Sequence, residues 1–347
     1  MGALLSITGE NFEAGRQMLA GIGLAQENHN KKEDIPPVVV EVYDDKSSLS
    51  EAVALATEVS KNDGLLAVIG PVRSSFLLNT APFFEKSKIV QVAPTAVCSD
   101  LENLGSYIFR SSGDGRYLGK KMGEFSVNEL GLKRIAVIYD QFDPYSSING
   151  KIFLNTVKEL KKSDTKELHL SLEETDYSPV VDELKEYHPD GVFFVGYHQH
   201  QAKLAKKMKE AGIKTIHLAT VATYSNQLIT QGGDSVEGLT FQSFFFPESP
   251  FETQKNFTKE YLQKYGGVTP NFRSAMAYDS MLVISEAIVK GAETPTELAD
   301  YIKEELKISD KLLGATGVLS FDKNGCREEI SLIPISVQNG QFKLYNK

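Results

Sequence analysis

The chain has 347 residues, of which 41% are hydrophobic and 24% charged, and its formal net charge is -9. This length is more than one ordinary hydrophobic core organises, so it indicates two α/β domains of about 150 residues each. The acidic balance argues against binding to a phosphate backbone, which depends on clustered Lys and Arg, so we expect no nucleic-acid partner.

The sequence contains no stretch long and apolar enough to span a membrane. The first seven residues, MGALLSI, lack the basic leader and the apolar length that export requires. We therefore expect that any signal peptide has been removed and that the protein is periplasmic or extracellular.

Strand and helix patterns alternate through the first part of the chain. Buried strands are predicted at 3–7, 38–43, 65–69 and 89–92, a short extended segment at 107–110, and helices at 12–28 and 76–84. Ser48, with Glu51 three residues later, forms the capping-box pattern that opens another helix. A further helix is predicted from a cap at Asp114 to residue 130.

The same alternation continues in the second part of the chain. Strands are predicted at 134–139, 167–172, 191–195 and 215–218, separated by helices at 148–160, 179–186 and 199–211. An extended aromatic run at 241–247 precedes helices at 250–265 and 273–290, followed by strands at 317–321, 330–337 and 341–344. The last two strands are predicted to form a hairpin across Asn339-Gly340. The whole pattern is typical of parallel sheets with helices on both faces.

Two polar loops are predicted to meet at one edge of the first sheet. Ser74 and Ser75 begin a helix that follows a buried strand, and the next strand ends at Pro94-Thr95. Carboxyl ends of parallel strands share one sheet edge, and ligands of such sheets bind there. The N–H groups and dipole at a helix start favour an anion, so a carboxylate suits this place.

The remaining chemical signals are weak. His198 and His200 alternate at the start of a helix, but no third ligand has suitable spacing, so a surface or site-rim position is favoured over a metal. Cys98 and Cys326 show no sign of meeting, and we expect two free thiols. The chain also lacks a dinucleotide-binding loop. We expect neither a metal nor a cofactor.

Nine segments occur in the following order: GALLSITG, VYDD, AVIGPVRSS, VAPTA, YIFRSSGDGRYLGK, RIAVIYDQFDPYS, PDGVFFVGY, AYDSMLVISEAI and TGVLSFDKNG. In this order and spacing they resemble the substrate-binding proteins of the branched-chain amino-acid (Leu/Ile/Val) ABC transporter family, which have the type I periplasmic-binding-protein fold. The resemblance extends from residue 2 to about residue 342.

This resemblance implies two Rossmann-like lobes with parallel sheets, joined by a three-stranded hinge at about 110–113, 243–247 and 322–325. Lobe 1 would comprise 1–111 and 247–323, and lobe 2 would comprise 112–246 and 324–347. A ligand would lie in the cleft between the lobes, and binding would be accompanied by hinge closure.

The resemblance also implies site residues in the first lobe. Four positions would hold the ligand carboxylate through hydroxyl and backbone N–H groups: Ser74, Thr95, Ala96 and Val97. Val97 stands where the family has a threonine, which removes one hydroxyl donor. Arg73 either points to solvent or pairs with an acidic group of the ligand. Phe12, at the start of the first helix, completes this set.

In the second lobe, the matching positions are Tyr145 and Tyr197, with His198 beside the latter. Ser146 replaces a glycine of the family motif. Residues 218–224 contain no carboxylate, although the family has an acidic residue there that pairs with the ligand ammonium. Because a buried, unpaired charge is costly, this departure disfavours plain aliphatic amino acids and favours acidic or aromatic carboxylates.

These observations favour a non-catalytic solute receptor that captures a small carboxylate, an amino acid or related organic acid, and presents it as a monomer to a membrane ABC permease. The alternative is a ligand-sensing domain of the same fold in a receptor or regulatory system. An enzyme ranks third, because Ser74 and Ser75 lack a matching histidine and acid.

Overall fold

The structure is a computed structural model that describes residues 1–96, 104–112, 115–307, 312–328 and 330–346. The chain divides into two units. Unit 1 comprises Met1–Asp114 and Phe245–Ser331, and unit 2 comprises Gly115–Phe244 and Leu332–Lys347. Each unit contains its own β-sheet with helices packed against it. The expected α/β class with two parallel-sheet lobes is therefore confirmed.

The first segment of unit 1 alternates strand and helix. Its strands are β1 (Gly2–Leu5), β2 (Glu41–Asp44), β3 (Ala67–Ile69), β4 (Val90–Ala93) and β5 (Ile108–Arg110). Its helices are α1 (Phe12–Asn30), α2 (Leu49–Val59) and α3 (Ser74–Lys86). All five strands pair in parallel in the order β2-β1-β3-β4-β5. Their carboxyl ends therefore meet at one edge of the sheet.

Unit 2 follows with the same alternation. Its helices are α4 (Gly115–Glu124), which continues as a π-helical turn at Phe125–Glu129, α5 (Pro144–Leu160), α6 (Ser178–Tyr187), α7 (His198–Glu210) and α8 (Asn226–Gly232). Its strands are β6 (Arg134–Tyr139), β7 (Asp164–His169), β8 (Gly191–Val195), β9 (Ile216–Leu218) and β10 (Thr240–Ser243).

The chain then returns to unit 1 before its last strands join unit 2. Unit 1 gains α9 (Glu252–Lys264), α10 (Phe272–Val289), α11 (Pro295–Glu304) and a small hairpin of β11 (Leu313–Gly314) and β12 (Gly317–Val318). Unit 2 gains β13 (Ile333–Gln338) and β14 (Gln341–Leu344). Its sheet has the order β14-β13-β10-β9-β8-β6-β7. Five strands from β7 to β10 are parallel, and β13 and β14 are antiparallel additions.

The core of unit 1 joins its sheet to α1, α10 and α11. Leu5 and Ile69 of the sheet belong to one buried apolar cluster with Met18 of α1 and Met281 of α10. Helices α1 and α10 approach closely because Gly21 has no side chain, and a Cβ there would lie 2.0 Å from the Ser274 carbonyl oxygen. The packing holds the sheet rigid, so its strand-end loops have a fixed base.

Several predicted element bounds differ from the structure. The helix predicted from 148 begins at Pro144, because Asp143 accepts a hydrogen bond from the Ser146 N–H as N-cap. The strand predicted at 167–172 is β7, three residues earlier, paired with β6 from Arg134↔Asp164 to Tyr139↔His169. The strand predicted at 317–321 is only the two-residue β12.

Two helices, α8 and α11, had no counterpart in the sequence prediction. The hairpin across Asn339-Gly340 is confirmed, and both turn residues have positive φ, 53° and 66°. The predicted helix cap at Asp114 lies outside the described residues.

Candidate functional site

In unit 1, the loop between β3 and α3 is held by a polar side chain from inside the sheet. The Gln91 amide of β4 donates to the Gly70 carbonyl and to Thr80 Oγ1, both at 3.2 Å. Gly70 has φ +123° and its peptide bond to Pro71 is cis. A Cβ on Gly70 would lie 2.1 Å from the Leu4 carbonyl oxygen, so only glycine fits. The start of α3 is thereby fixed against the sheet.

Ser74 is the first residue of α3 and is buried, at 4% exposure. Arg73 is the N-cap, with extended backbone and no side-chain acceptor for the first turn. Most N-caps are Ser, Thr, Asp or Asn, whose oxygen satisfies one of the open N–H groups. At α3 that contribution is missing, and the helix start keeps its preference for an external anion.

The loop after β4 lies beside this helix start. Thr95 Oγ1 donates to the Val72 carbonyl at 2.8 Å and so ties the two loops together. The Ala96 carbonyl accepts a hydrogen bond from Ser112 Oγ at 2.6 Å, and Ala96 is fully buried. With its hydroxyl proton committed to Val72, Thr95 can offer a carboxylate its backbone N–H. Val97, also expected here, lies outside the described residues.

Arg73 and Phe12, the two other residues of unit 1 that were expected to contact the ligand, each lie in a cation–aromatic pair. The Arg73 guanidinium is half-buried and lies 6.0 Å from the centre of the Phe76 ring. Phe12 is the first residue of α1, is 39% exposed, and has the Arg16 guanidinium 5.3 Å from its ring centre. Arg16 Nε in turn donates to the Ile7 carbonyl, so this cation is fixed near the end of β1.

The sequence prediction missed the carboxylate that organises the β1–α1 loop. Asp44, at the end of β2, accepts from the Ile7 N–H, the Thr8 N–H and the Thr8 hydroxyl. Burial pushes the pKa of Asp44 upward, but hydrogen bonds from Thr8, Lys46 and Ile7 outweigh it and hold the pKa below its ordinary value. The adjacent pair Asp44-Asp45 directly after a predicted strand was the feature of the sequence that could have indicated this role.

In unit 2, three hydroxyl-bearing residues lie at the carboxyl ends of parallel strands. Tyr145 is in the first turn of α5, Tyr197 is the N-cap of α7, and Thr220 follows β9. The two tyrosine rings stack with centroids 6.1 Å apart. Tyr145 and Thr220 are both buried, and the Tyr145 hydroxyl lies within hydrogen-bonding reach of the Thr220 side chain and of the Ala222 backbone N–H. The pKa of Tyr145 is raised chiefly by burial, so its phenol stays neutral.

Ser146, which replaces a glycine of the family motif, has a structural role. Its hydroxyl donates to the Val195 carbonyl at the end of β8 and accepts from the Asp140 N–H at 2.9 Å. These bonds join the ends of β6 and β8. Ser146 therefore braces the loop that carries Tyr145.

The two histidines are engaged in protein contacts. His198 Nε2 lies 3.0 Å from the Gln227 side-chain oxygen, and His200 Nε2 lies 2.8 Å from the Leu172 carbonyl. Among the described residues, no three His, Cys, Asp or Glu side chains are grouped closely enough to hold a metal ion. Cys326 is buried, and Cys98 lies outside the described residues, so the expectation about these thiols stays a prediction.

Two α/β sheets, each with polar groups gathered at the carboxyl ends of its strands, define a ligand-binding class of protein. A model of the periplasmic binding protein family matches residues 1–325. The chain therefore belongs to the periplasmic binding protein family, a family of solute-binding proteins. Along the ranges that the structure describes, no helix has both the length and the apolar character needed to cross a bilayer.

Several known proteins are similar over most of their length. The leucine-, isoleucine-, valine-, threonine- and alanine-binding protein of Pseudomonas aeruginosa is 25% identical over 324 residues, 92% of this chain and 84% of that protein. A leucine-binding protein from Thermotoga maritima is 26% identical, with a TM-score of 0.90 over 99% of this chain and 97% of that one.

Two solved structures of the same fold contain ligands. The branched-chain amino-acid binding protein LivJ from Streptococcus pneumoniae, in complex with isoleucine, is 21% identical, with a TM-score of 0.87 over 99% of this chain and 97% of that one. A solute-binding protein from R. palustris in complex with benzoate is 15% identical, with a TM-score of 0.84 over 99% of this chain and 94% of that one. At these identities the likeness shows the fold alone.

Proposed function

We propose that this protein is an extracytoplasmic solute receptor that captures a small carboxylate-bearing ligand and delivers it to a membrane ABC permease. Similar proteins are named for leucine, isoleucine and valine, and structural neighbours hold isoleucine or benzoate. Isoleucine and benzoate differ in charge, shape and polarity, but both carry a carboxylate. We therefore propose that the group recognised by this protein is the carboxylate that the two ligands share.

The observation that carries the proposal is the start of α3. Ser74 is buried there, the N-cap Arg73 supplies no side-chain acceptor, and the loop of Thr95 and Ala96 lies alongside. A helix start of this kind favours an anion through its N–H groups and its dipole. The Arg73 cation adds to that preference wherever its side chain approaches the ligand.

We further propose that the protein acts as a monomer and without catalysis. A receptor needs only a binding surface and a partner, and the permease is the partner that the family resemblance implies. Tyr145, Tyr197 and Thr220 bring hydroxyls to the strand ends of unit 2.

Calorimetry with acids and their primary amides tests the proposal. Benzoate is compared with benzamide and leucine with leucinamide, because each pair differs only in the charged group that α3 would bind. We expect each amide to bind about a hundredfold more weakly than its acid, since charge-assisted hydrogen bonds are lost. Equal affinity for acid and amide would show that the carboxylate is not the recognised group.

The same titrations with Ser74→Ala locate the site. Loss of one hydrogen bond to a charged group should weaken acid binding by about 1–3 kcal/mol. Ser75→Ala is the matched control, because Ser75 is the next residue of the same helix turn and we expect it to leave affinity unchanged. If the two variants behave alike, Ser74 does not contact the carboxylate.

A further inference from the structure

Unit 1 contains a buried carboxylate, Asp45, with one oxygen that lacks a donor. Asp45 follows β2 directly and is fully buried. Its Oδ1 accepts hydrogen bonds from Ser6 Oγ at 2.6 Å and from the Ser47 N–H at 2.8 Å. Its Oδ2 is also buried and accepts no hydrogen bond in the part of the chain that the structure describes. Since an ionised carboxylate can accept about four hydrogen bonds, this burial disfavours the negative charge.

The adjacent carboxylate, Asp44, has the opposite environment. Its Oδ1 accepts from the backbone N–H groups of Ile7, Thr8 and Lys46, and its Oδ2 accepts from the Thr8 hydroxyl at 2.7 Å. Burial raises the pKa of Asp44, but these bonds outweigh it and hold the pKa below its ordinary value of 3.8. Asp44 is therefore built to carry a negative charge.

The pKa of Asp45 moves the other way. Burial raises it above its ordinary value of 3.8, and the charge of Asp44 acts in the same direction. The hydrogen bonds from Ser6 and Ser47 favour the ionised form, but they do not cancel the rise. Two carboxylates that are neighbours in sequence thus have environments that separate their affinities for a proton.

The cations of the neighbouring segments do not compensate the charge of Asp45. Lys46 Nζ lies 3.0 Å from Glu51 Oε1 in α2. The Arg16 guanidinium of α1 lies 5.3 Å from the centre of the Phe12 ring. Within the ranges that the structure describes, neither cation pairs with Asp45, and Asp44 is the charged group that acts on it.

We propose that Asp45 is a proton-binding site of unit 1, which takes up a proton in mildly acidic solution while Asp44 stays ionised. One proton removes the buried charge from the carboxyl group that lacks a donor on Oδ2. It also ends the repulsion between the two adjacent carboxylates. The pair holds residues 6–8, which lead from β1 toward α1, so the proton acts on the stability of this loop. The inference does not depend on the ligand.

The sign of the pH effect follows from the raised pKa. The folded chain keeps the proton of Asp45 to a higher pH than the unfolded chain does. Its contribution to the free energy of unfolding is therefore fully present below pH 3.8 and is lost as the pH rises through the folded pKa. Asp44 contributes above pH 3.8 and loses its contribution as the pH falls through its lowered pKa. The two titrations thus lie on opposite sides of pH 3.8.

Carboxyl-carbon NMR of the full chain with labelled aspartate measures both titrations directly. We expect a midpoint above pH 3.8 for Asp45 and below pH 3.8 for Asp44. Asp45→Asn and Asp44→Asn identify the two signals by their loss, after circular dichroism has established that each variant folds. A midpoint for Asp45 at or below pH 3.8 would overturn the proposal.

Ser6→Ala tests whether the contacts of Asp45 set its titration. Because the Ser6 hydroxyl favours the ionised form, its removal should move the Asp45 midpoint to still higher pH. Ser50→Ala is the matched control, since Ser50 Oγ contacts Ser48 Oγ at 2.9 Å and not Asp45, and it should leave the midpoint in place. A folded Ser6→Ala variant with an unchanged Asp45 midpoint would contradict the proposal.

Discussion

His217 is a residue whose burial matters for stability rather than for binding. It lies on β9, its Nδ1 is buried without a hydrogen-bond partner, and burial lowers its pKa from 6.5 to about 4. The imidazole is therefore neutral in the folded protein at pH 7.

The sign of the pH effect follows from this depressed pKa. Below pH 6.5 the unfolded chain takes up a proton at His217, while the folded protein does not. The free energy of unfolding therefore decreases as the pH falls toward 4. Between pH 7.5 and pH 5 the loss from this one group is about 2 kcal/mol. Above pH 7 it contributes almost nothing.

We predict that His217→Gln removes this part of the acid sensitivity. Urea unfolding at pH 7.5 and pH 5 should show a smaller decrease in the free energy of unfolding for the variant than for the native chain. His188→Asn is the control, because His188 is exposed and has a positive φ of 50° that Asn tolerates. Parallel pH profiles for the native chain and His217→Gln would refute the role of His217.

At the scale of elements, the inner strand β4 positions the loop between β3 and α3. Gln91 is fully buried among apolar neighbours, yet its amide reaches the Gly70 carbonyl and Thr80 Oγ1. It thus connects β4 to the entry and to the body of α3. A polar residue in this place has a cost that only its hydrogen bonds offset.

We predict that Gln91→Leu weakens ligand binding although Gln91 need not touch the ligand. Without its donor, the Gly70 carbonyl is left buried and unpaired and α3 loses its register on the sheet, so affinity should fall about tenfold. Thr80→Val is the control, since it removes one hydrogen-bond partner but leaves the bond to Gly70. Calorimetry of both variants checks this. Equal losses of affinity would mean that general destabilisation, and not the bond to Gly70, causes the effect.

The bounds of some strands could be predicted from the sequence, and those of others could not. Strands with uninterrupted apolar runs, such as β6 and β8, were located at their observed bounds because burial on both faces leaves little ambiguity. The edge strand β7 was predicted three residues too late in the chain. Only Leu168 within it is buried, and the apolar spacing of Leu168, Leu170 and Leu172 favoured a later start. Its position is fixed by pairing with β6, which is a tertiary property.

Helix α11 was missed although local signals were present. Thr294 and Glu297 form a reciprocal capping box, and Pro295 occupies the first helical position. For the site, the strand–turn–helix pattern located Ser74 at a strand end, and the family resemblance supplied Tyr145 and Tyr197. The roles of Gln91 and Ser146 were out of reach, since their partners lie 21 and 49 residues away in sequence.

For the whole molecule, the central claim is that a ligand carboxylate binds at the start of α3 in unit 1. A crystal structure of the protein with benzoate, or with the tightest acid found by calorimetry, tests it most directly. We predict carboxylate oxygens within about 3 Å of Ser74 Oγ and of a backbone N–H in the loop of Thr95 and Ala96. A carboxylate held elsewhere, for example by Arg16 at the end of β1, with no contact to Ser74, would contradict the claim.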